Sequence, residues 1–245
     1  MRLDTYGLKK ENSYMPKTHS ISVVVPALNE ERNIEAAIQT AKTSISKYFD
    51  DYEILVFDDG STDKTGEIID RVAKADPTIK VTHHDRPKNL GGVYKAALAK
   101  ASKTFLIMIP GDNENPPHAI EPVLAEAGQA DIIVPYTCNQ EVRAPLRRFL
   151  STGFVTLLNL ASGCRLKYYN GTVLQRVDLL REIRIETDGF GYQAEALVKL
   201  LKKKHTFKEI PIAISPQQAG RKSRALSVKN LVTIGKFLTS VAFSR

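Results

Sequence analysis

At 245 residues, with 42% hydrophobic and 25% charged side chains, the chain is long enough to bury one large core and has an ordinary globular composition. The net charge of +8 points to an anionic partner: phosphorylated ligands or an anionic membrane surface. No nucleic-acid-binding signature accompanies that charge and Trp is absent, so nucleic acid is set aside as a partner.

No stretch reaches about 18 uncharged apolar residues, so no transmembrane helix is predicted. The start of the chain carries Arg2, Asp4, Lys9, Lys10 and Glu11 before any apolar run, which does not read as a signal peptide. Cys138 and Cys164 have no metal-ligand spacing and fit buried thiols in a reducing, cytoplasmic compartment.

Residues 1–19 are polar and aperiodic, a loose arm. Ile21 to Pro26 reads as a buried strand, and Asn29 as the N-cap of a helix whose apolar face is Ile34, Ala37, Ile38, Ala41 and Ile45. Glu53 to Phe57 is a second buried strand, ending in Asp58-Asp59-Gly60-Ser61-Thr62-Asp63. Ser61 or Thr62 is expected to cap the helix that follows. A short strand at 79–83 leads to the glycine loop Lys88-Asn89-Leu90-Gly91-Gly92 and an Ala-rich helix over 93–101.

The run 104–109 has no alternation, the pattern of a strand buried on both faces. It breaks at Pro110-Gly111 into two carboxylates, Asp112 and Glu114, closed by Pro116-Pro117. A helix near 118–128 and a strand at 131–135 complete an alternating half, the pattern of a parallel sheet covered by helices on both faces. Acid groups at the carboxyl edge of such a sheet lie where open α/β folds bind ligands. Two hard oxygen ligands there suit Mg²⁺ or Mn²⁺ shared with a phosphate. Asp58 or Asp59, at the end of the second strand, is placed to accept hydrogen bonds from a nucleobase.

The second half reads as an apolar helix over 146–161, a turn at 169–171, a strand at 172–176, a helix over 189–204 and a last strand at 207–214. A basic loop, 217–224, holds Arg221, Lys222 and Arg224. The tail, 226–245, has an apolar stripe with basic residues. Apolar stripes flanked by basic residues, in the 146–161 helix and in the tail, suit helices lying on an anionic leaflet.

Three segments, Val23 to Glu31, Asp58 to Asp63 and the carboxylate loop at 110–117, together resemble family 2 of the inverting glycosyltransferases with the GT-A fold. The Asn89-to-Gly92 segment, the Gly191-to-Glu195 helix start, the Glu209-to-Ile212 strand and the basic loop look like its dolichyl- or polyprenyl-phosphate branch. The resemblance implies a GT-A domain over 20–217, followed by a basic active-site loop and amphipathic tail over 218–245. It implies transfer of a sugar, with inversion, from a nucleoside-diphosphate donor of the GDP-mannose or UDP-glucose class to a polyprenyl phosphate. The protein would be peripheral at the cytoplasmic membrane face.

By the same resemblance Pro26, Ala27 and Glu30 line the nucleotide pocket, with Asn89 and Gly91 also on the donor side. Asp112 and Glu114 hold the metal, Arg147 and Ser151 hold the acceptor phosphate, and Arg221 clamps the diphosphate. Three positions depart from the pattern, one of them Gln218, which stands where the branch usually has an arginine in the basic loop and so shifts the clamp to Arg221. Pro110 stands where the family usually has the first aspartate of Asp-x-Asp, and Glu114 stands where the branch has a glutamine. Two other outcomes are implied: transfer to a glycan hydroxyl with Glu195 as general base, or a non-catalytic nucleotide-sugar-binding member.

Overall fold

The computed structural model describes residues 19–214. The arm, the basic loop with Arg221, and the tail therefore lie outside the described residues, apart from His19 at the end of the arm.

Seven strands form one sheet in the order β3-β2-β1-β4-β6-β5-β7. Chain order runs β1 (Ser20–Ala27), α1 (Ile34–Ile45), β2 (Asp51–Asp58), α2 (Thr65–Ala75), β3 (Ile79–His83), α3 (Asn89–Lys100) and β4 (Phe105–Met108). It continues through α4 (Pro117–Leu124), β5 (Ile132–Thr137), α5 (Pro145–Ser162), β6 (Leu174–Arg176), α6 (Val177–Arg181), α7 (Tyr192–Lys202) and β7 (Phe207–Ile212). All neighbours pair in parallel except β6, which is antiparallel to both β4 and β5. The sheet is the mostly parallel one expected. The reversal at β6 was not legible from its short apolar run.

The strands have no polar face because both faces are covered. Ile21, Val23 and Val25 of β1 pack with Ile54 and Val56 of β2 and Phe105 and Ile107 of β4 into one core, together with Ile34 and Ile38 of α1, Ile69 of α2 and Ile120 of α4. The alternate residues, Val24, Leu55, Phe57, Leu106 and Met108, join Val93, Tyr94 and Ala97 of α3 and Leu197 of α7 in the other. This is the two-residue period of a strand serving two layers of helix.

A buried carboxylate ties the amino-terminal edge of the sheet. Glu53 accepts Ser22 Oγ at 2.6 Å, Lys80 Nζ at 2.6 Å and both the N–H and hydroxyl of Ser102 at 2.7 and 3.0 Å. It thereby joins β1, β2, β3 and the approach to β4. Burial alone would raise its pKa; these donors outweigh burial and hold it below the usual carboxylate value.

Four local expectations change. Asn29 does not cap α1, whose first N–H groups, with that of Asn33, go to the Glu30 carbonyl at 2.9 Å. Neither Ser61 nor Thr62 caps α2; the Asp63 carboxylate covers the Thr65 N–H at 3.0 Å. The Gly91-Gly92 pair is not a loop but the first turn of α3, which begins at Asn89. Cys138 is exposed, just beyond the end of β5, while Cys164 is half-buried.

Removing the Glu53 side chain strips the partners from a buried ionic cluster. Glu53→Ala is expected to cost about 3 kcal/mol or more, a fall of about 6 °C or more in Tm by thermal denaturation. Because the folded pKa is depressed, the contribution of Glu53 is present above its ordinary pKa of 4.5 and lost as pH falls through the lower folded value. The Tm gap between wild type and variant should therefore close only in acid.

Candidate active site

The strand order reverses direction at β1 and β4, and the crevice outside their carboxyl ends is the switch point of the sheet. Ile109 N–H donates to Val24 O at 2.8 Å and Gly111 N–H to Pro26 O at 2.9 Å, so the carboxylate loop starts as a continuation of the β1–β4 seam. A Cβ on Gly111 would lie 2.8 Å from Ile34 Cδ1 and 3.0 Å from Pro26 O, so any larger residue would have to displace Ile34 or press on the β1 backbone. Asp59 N–H donates to Ala27 O at 2.8 Å, bringing the β2 end to the same place.

The two acidic motifs at this edge stitch to each other. Asn29 N–H donates to Ser61 Oγ at 3.0 Å, and Thr62 N–H donates back to Asn29 Oδ1 at 2.8 Å. Glu30 N–H donates to Thr65 Oγ1 at 2.8 Å. Glu31 N–H reaches Asp63 Oδ2 at 3.2 Å while Lys64 N–H reaches Glu31 Oε2 at 3.1 Å. Asn29 takes a left-handed φ of 55°, which Asn tolerates better than most residues, and this turns its amide toward the partner loop.

Asp58 and Asp59 are both buried and both engaged. Asp58 accepts the Ser61 N–H at 3.0 Å through one oxygen and faces His83 Nδ1 at 3.0 Å with the other. Burial would raise its pKa, but the Ser61 and His83 hydrogen bonds hold it below the carboxylate norm. His83 also faces Asp70 through Nε2 at 3.1 Å. Two carboxylates on two ring nitrogens call for both protons, and the Asp58 hydrogen bond leads in raising the His83 pKa. Asp59 Oδ1 accepts from His84 Nδ1 at 2.8 Å and Lys88 N–H at 2.9 Å; Oδ2 accepts Asn89 N–H at 3.0 Å. Asp59 thus fastens the start of α3, a task its place in the motif did not disclose.

The carboxylate loop is braced on two sides. Asp112 Oδ1 accepts Glu114 N–H at 3.0 Å, and Asn113 between them has a φ of 55°. Thr40 of α1 donates to Asn113 Oδ1 at 3.2 Å, and Thr172, just before β6, donates to Asn115 Oδ1 at 3.4 Å. Among the described residues no group of three or more acidic, His or Cys side chains could enclose a metal. Two hard oxygen donors on an open edge fit a cation that keeps water ligands and shares phosphate oxygens, which is the habit of Mg²⁺ and is open to Mn²⁺.

Glu195, at the start of α7, is a buried anchor. It accepts the N–H groups of Glu186 and Thr187, both at 2.9 Å, and Lys199 Nζ at 2.6 Å. Burial is opposed and outweighed by these donors, and its pKa is lowered. A carboxylate so saturated is a poor proton acceptor. The segment it holds in turn receives Gly91 N–H on Asp188 O at 2.8 Å. A Cβ on Gly91 would stand 2.2 Å from Thr187 O, so this glycine serves close packing of α3 on the 186–188 segment.

Arg147 and Ser151 lie one turn apart on α5, both half-buried, on the side of the helix that holds buried Leu158 and Ser162. The opposite side is apolar and open: Leu146, Phe149, Leu150, Leu157 and Leu160 are exposed, Phe149 by 77% and Leu160 by 79%. The 18 residues of α5 include no acid.

The sheet order and the acidic loops joined at its carboxyl edge define a GT-A nucleotide-sugar transferase fold. The Glycosyl transferase family 2 model matches residues 22–183, and the chain belongs to that family. An undecaprenyl-phosphate 4-deoxy-4-formamido-L-arabinose transferase of Pseudomonas fluorescens is 26% identical over 67% of this chain and 51% of its own length. The chain thus spans about half the length of that relative. A polyprenol monophosphomannose synthase of Mycolicibacterium smegmatis is 24% identical over 87% of this chain and 84% of its own. Among solved structures, glucosyl-3-phosphoglycerate synthase of Mycobacterium tuberculosis with Mn²⁺, UDP-glucose and phosphoglyceric acid matches with a TM-score of 0.66 at 20% identity, covering 91% of this chain and 80% of that one. That likeness is one of fold.

The Gly91 contact yields a test. Gly91→Ala forces a methyl against the Thr187 carbonyl and should destabilise by about 1–3 kcal/mol. Hydrogen exchange should speed up selectively at Glu186, Thr187 and the first turn of α3, the groups this packing holds.

Proposed function

We propose that the chain carries the catalytic domain of a metal-assisted inverting glycosyltransferase that moves a sugar from a nucleoside-diphosphate donor to a polyprenyl phosphate. The observation that carries this reading is the joining of the Asp112–Glu114 loop, the β1 end and the Asp58–Asp59 end at the switch point.

In this reading the nucleotide lies over Pro26, Ala27 and Glu30, with Asp58 and Asp59 keeping the base-side loop rigid. Asp58 and Asp59 each retain lone pairs for a base N–H beyond the partners already named. Asp112 and Glu114 hold Mg²⁺ or Mn²⁺ together with the donor diphosphate. When bound, that ion supplies charge neutralisation to the diphosphate leaving group. Glu114 restores one negative charge that Pro110 removes from the pattern. Arg147 and Ser151 orient the acceptor phosphate, a guanidinium and a hydroxyl suiting its oxygens. A phosphate is already ionised near neutral pH, so the step needs no strong general base, in keeping with the saturated Glu195.

The apolar stripe of α5 supports a lipid acceptor. Among the described residues no helix is long and apolar enough to cross a membrane. A helix exposing Leu146, Phe149, Leu150, Leu157 and Leu160, with Arg147 and Arg148 in its first turn, suits lying in the interface of an anionic leaflet. Arg221 lies outside the described residues; its role as a diphosphate clamp is carried by the sequence pattern alone.

Incubation of the protein with labelled GDP-mannose or UDP-glucose, polyprenyl phosphate and Mg²⁺ or Mn²⁺ should give an organic-soluble labelled lipid. Absence of product with every common donor overturns the lipid reading. Asp112→Asn should lower kcat by about a hundredfold or more while leaving the fold intact by circular dichroism. Flotation with vesicles containing anionic lipid should recover the wild type. The pair Phe149→Asp and Leu160→Asp should weaken that binding about tenfold or more.

A further inference from the structure

β5 runs parallel to β4, since both oppose β6, so Thr137 ends on the same carboxyl edge as Ala27 and Asp58. Beyond it the chain is pinned. Cys138 N–H donates to Ile212 O at 3.0 Å, and Asn139 exchanges two hydrogen bonds with Ile214, at 2.8 and 2.9 Å. A single turn over Gln140–Val142 follows, and then Arg143, whose N–H returns to Gln140 O at 3.0 Å.

Arg143 is only 8% exposed. Among the described residues its two side-chain partners are Thr137, whose Oγ1 accepts from Nη2 at 2.9 Å, and the Tyr168 ring, 5.8 Å from its guanidinium carbon. Its Nε–H is buried and has no acceptor, and no carboxylate pairs with it among the described residues. A guanidinium carries five N–H donors in a fixed fork and stays charged at every relevant pH. A buried charge without a counter-ion is destabilising, so buried cations are ordinarily paired. Here two neutral groups fix the plane of the guanidinium and leave most of its donors for something else. The arginine of β6, by contrast, pairs with acids: Arg176 binds Asp131 and Asp178.

The geometry points to Arg143 as a buried oxyanion anchor at the carboxyl end of β5, oriented by Thr137 and Tyr168 and taking a phosphate. Planar, bidentate recognition of phosphate oxygens is what a pre-oriented guanidinium does best. Arg143 precedes α5 by one residue, so the anchor sits at the entrance to the helix that carries Arg147 and Ser151. Nothing in the sequence pattern singled Arg143 out; its burial without an acid did. The phosphate has two sources in the proposed reaction, the acceptor monophosphate and the donor diphosphate. This assignment rests on the proposed function only for the choice between them.

The test uses the full chain with Arg143→Gln and Arg143→Lys. Inorganic phosphate and pyrophosphate are the probes. One or both should raise the wild-type Tm in a concentration-dependent way, since a ligand of the folded state alone stabilises it. Arg143→Gln should lose that response, and its Tm without phosphate should be no lower than wild type, because an unpaired buried charge has gone. Arg143→Lys keeps the charge without the fork and should show a weaker response; it decides the matter if the Gln variant does not fold.

In steady state Arg143→Gln should raise one KM tenfold or more with little change in kcat. A rise for polyprenyl phosphate assigns the acceptor; a rise for the nucleotide sugar assigns the donor. Equal phosphate responses in wild type and both variants overturn the anchor, as does a Tm loss with both KM values unchanged. A wild type that makes no lipid product but shows an Arg143-dependent phosphate response removes the proposed reaction and leaves the anchor standing.

Discussion

The site depends on side chains that satisfy backbone N–H groups across the carboxyl edge of the sheet. Strand ends in a parallel sheet release the chain with unpaired donors, and something must hold the loops that follow. Here Asn29, Glu31, Asp58, Asp59, Ser61, Asp63 and Thr65 do so in a reciprocal set spanning two loops. Without that seam the loops after β1 and β2 would each be free to move, and this edge of the sheet would have no fixed shape. Preorganisation of this kind places polar groups before the substrate arrives.

The same logic extends outward as a chain of contacts. Asp59 holds Asn89, α3 presents Gly91 to Asp188, and Glu195 holds the 186–187 backbone. Residues about a hundred positions apart in the chain thus share one support. Charged groups that look catalytic in one dimension are, in this arrangement, largely structural acceptors. The proposed reaction draws instead on the Asp112–Glu114 loop and the basic residues around the start of α5. In the proposed reading the buried anionic acceptors hold the donor side, and the apolar, acid-free face of α5 suits a lipid phosphate.

Much of this was legible in the chain itself. Largely apolar, non-alternating runs at 21–26, 53–57, 104–109 and 131–135 mark strands covered on both faces, since only a strand between two helix layers needs no polar side. Alternation with amphipathic helices then leaves a parallel sheet as the natural solution. The Asp58–Asp63 and Asp112–Glu114 clusters could be placed at one sheet edge for the same reason: each follows directly on such a run. Capping was misread at Asn29, Ser61 and Thr62 because Asn, Ser and Asp cap helices and bridge loops with the same oxygen atoms. Local sequence does not say which N–H will be within reach.

The sequence by itself determined the layered α/β fold, the edge on which the acids collect and the family to which the chain belongs, because periodicity and motif spacing are properties of consecutive residues. Only the tertiary structure decided the reversal of β6, the saturation of Glu195 by the 186–187 backbone, the packing duty of Gly91 and the isolation of Arg143 from any acid among the described residues. Each of these turns on which groups meet across long separations in the chain. Whether a buried charge has a partner is a fact about three-dimensional neighbours, and it is the neighbours that set its energy.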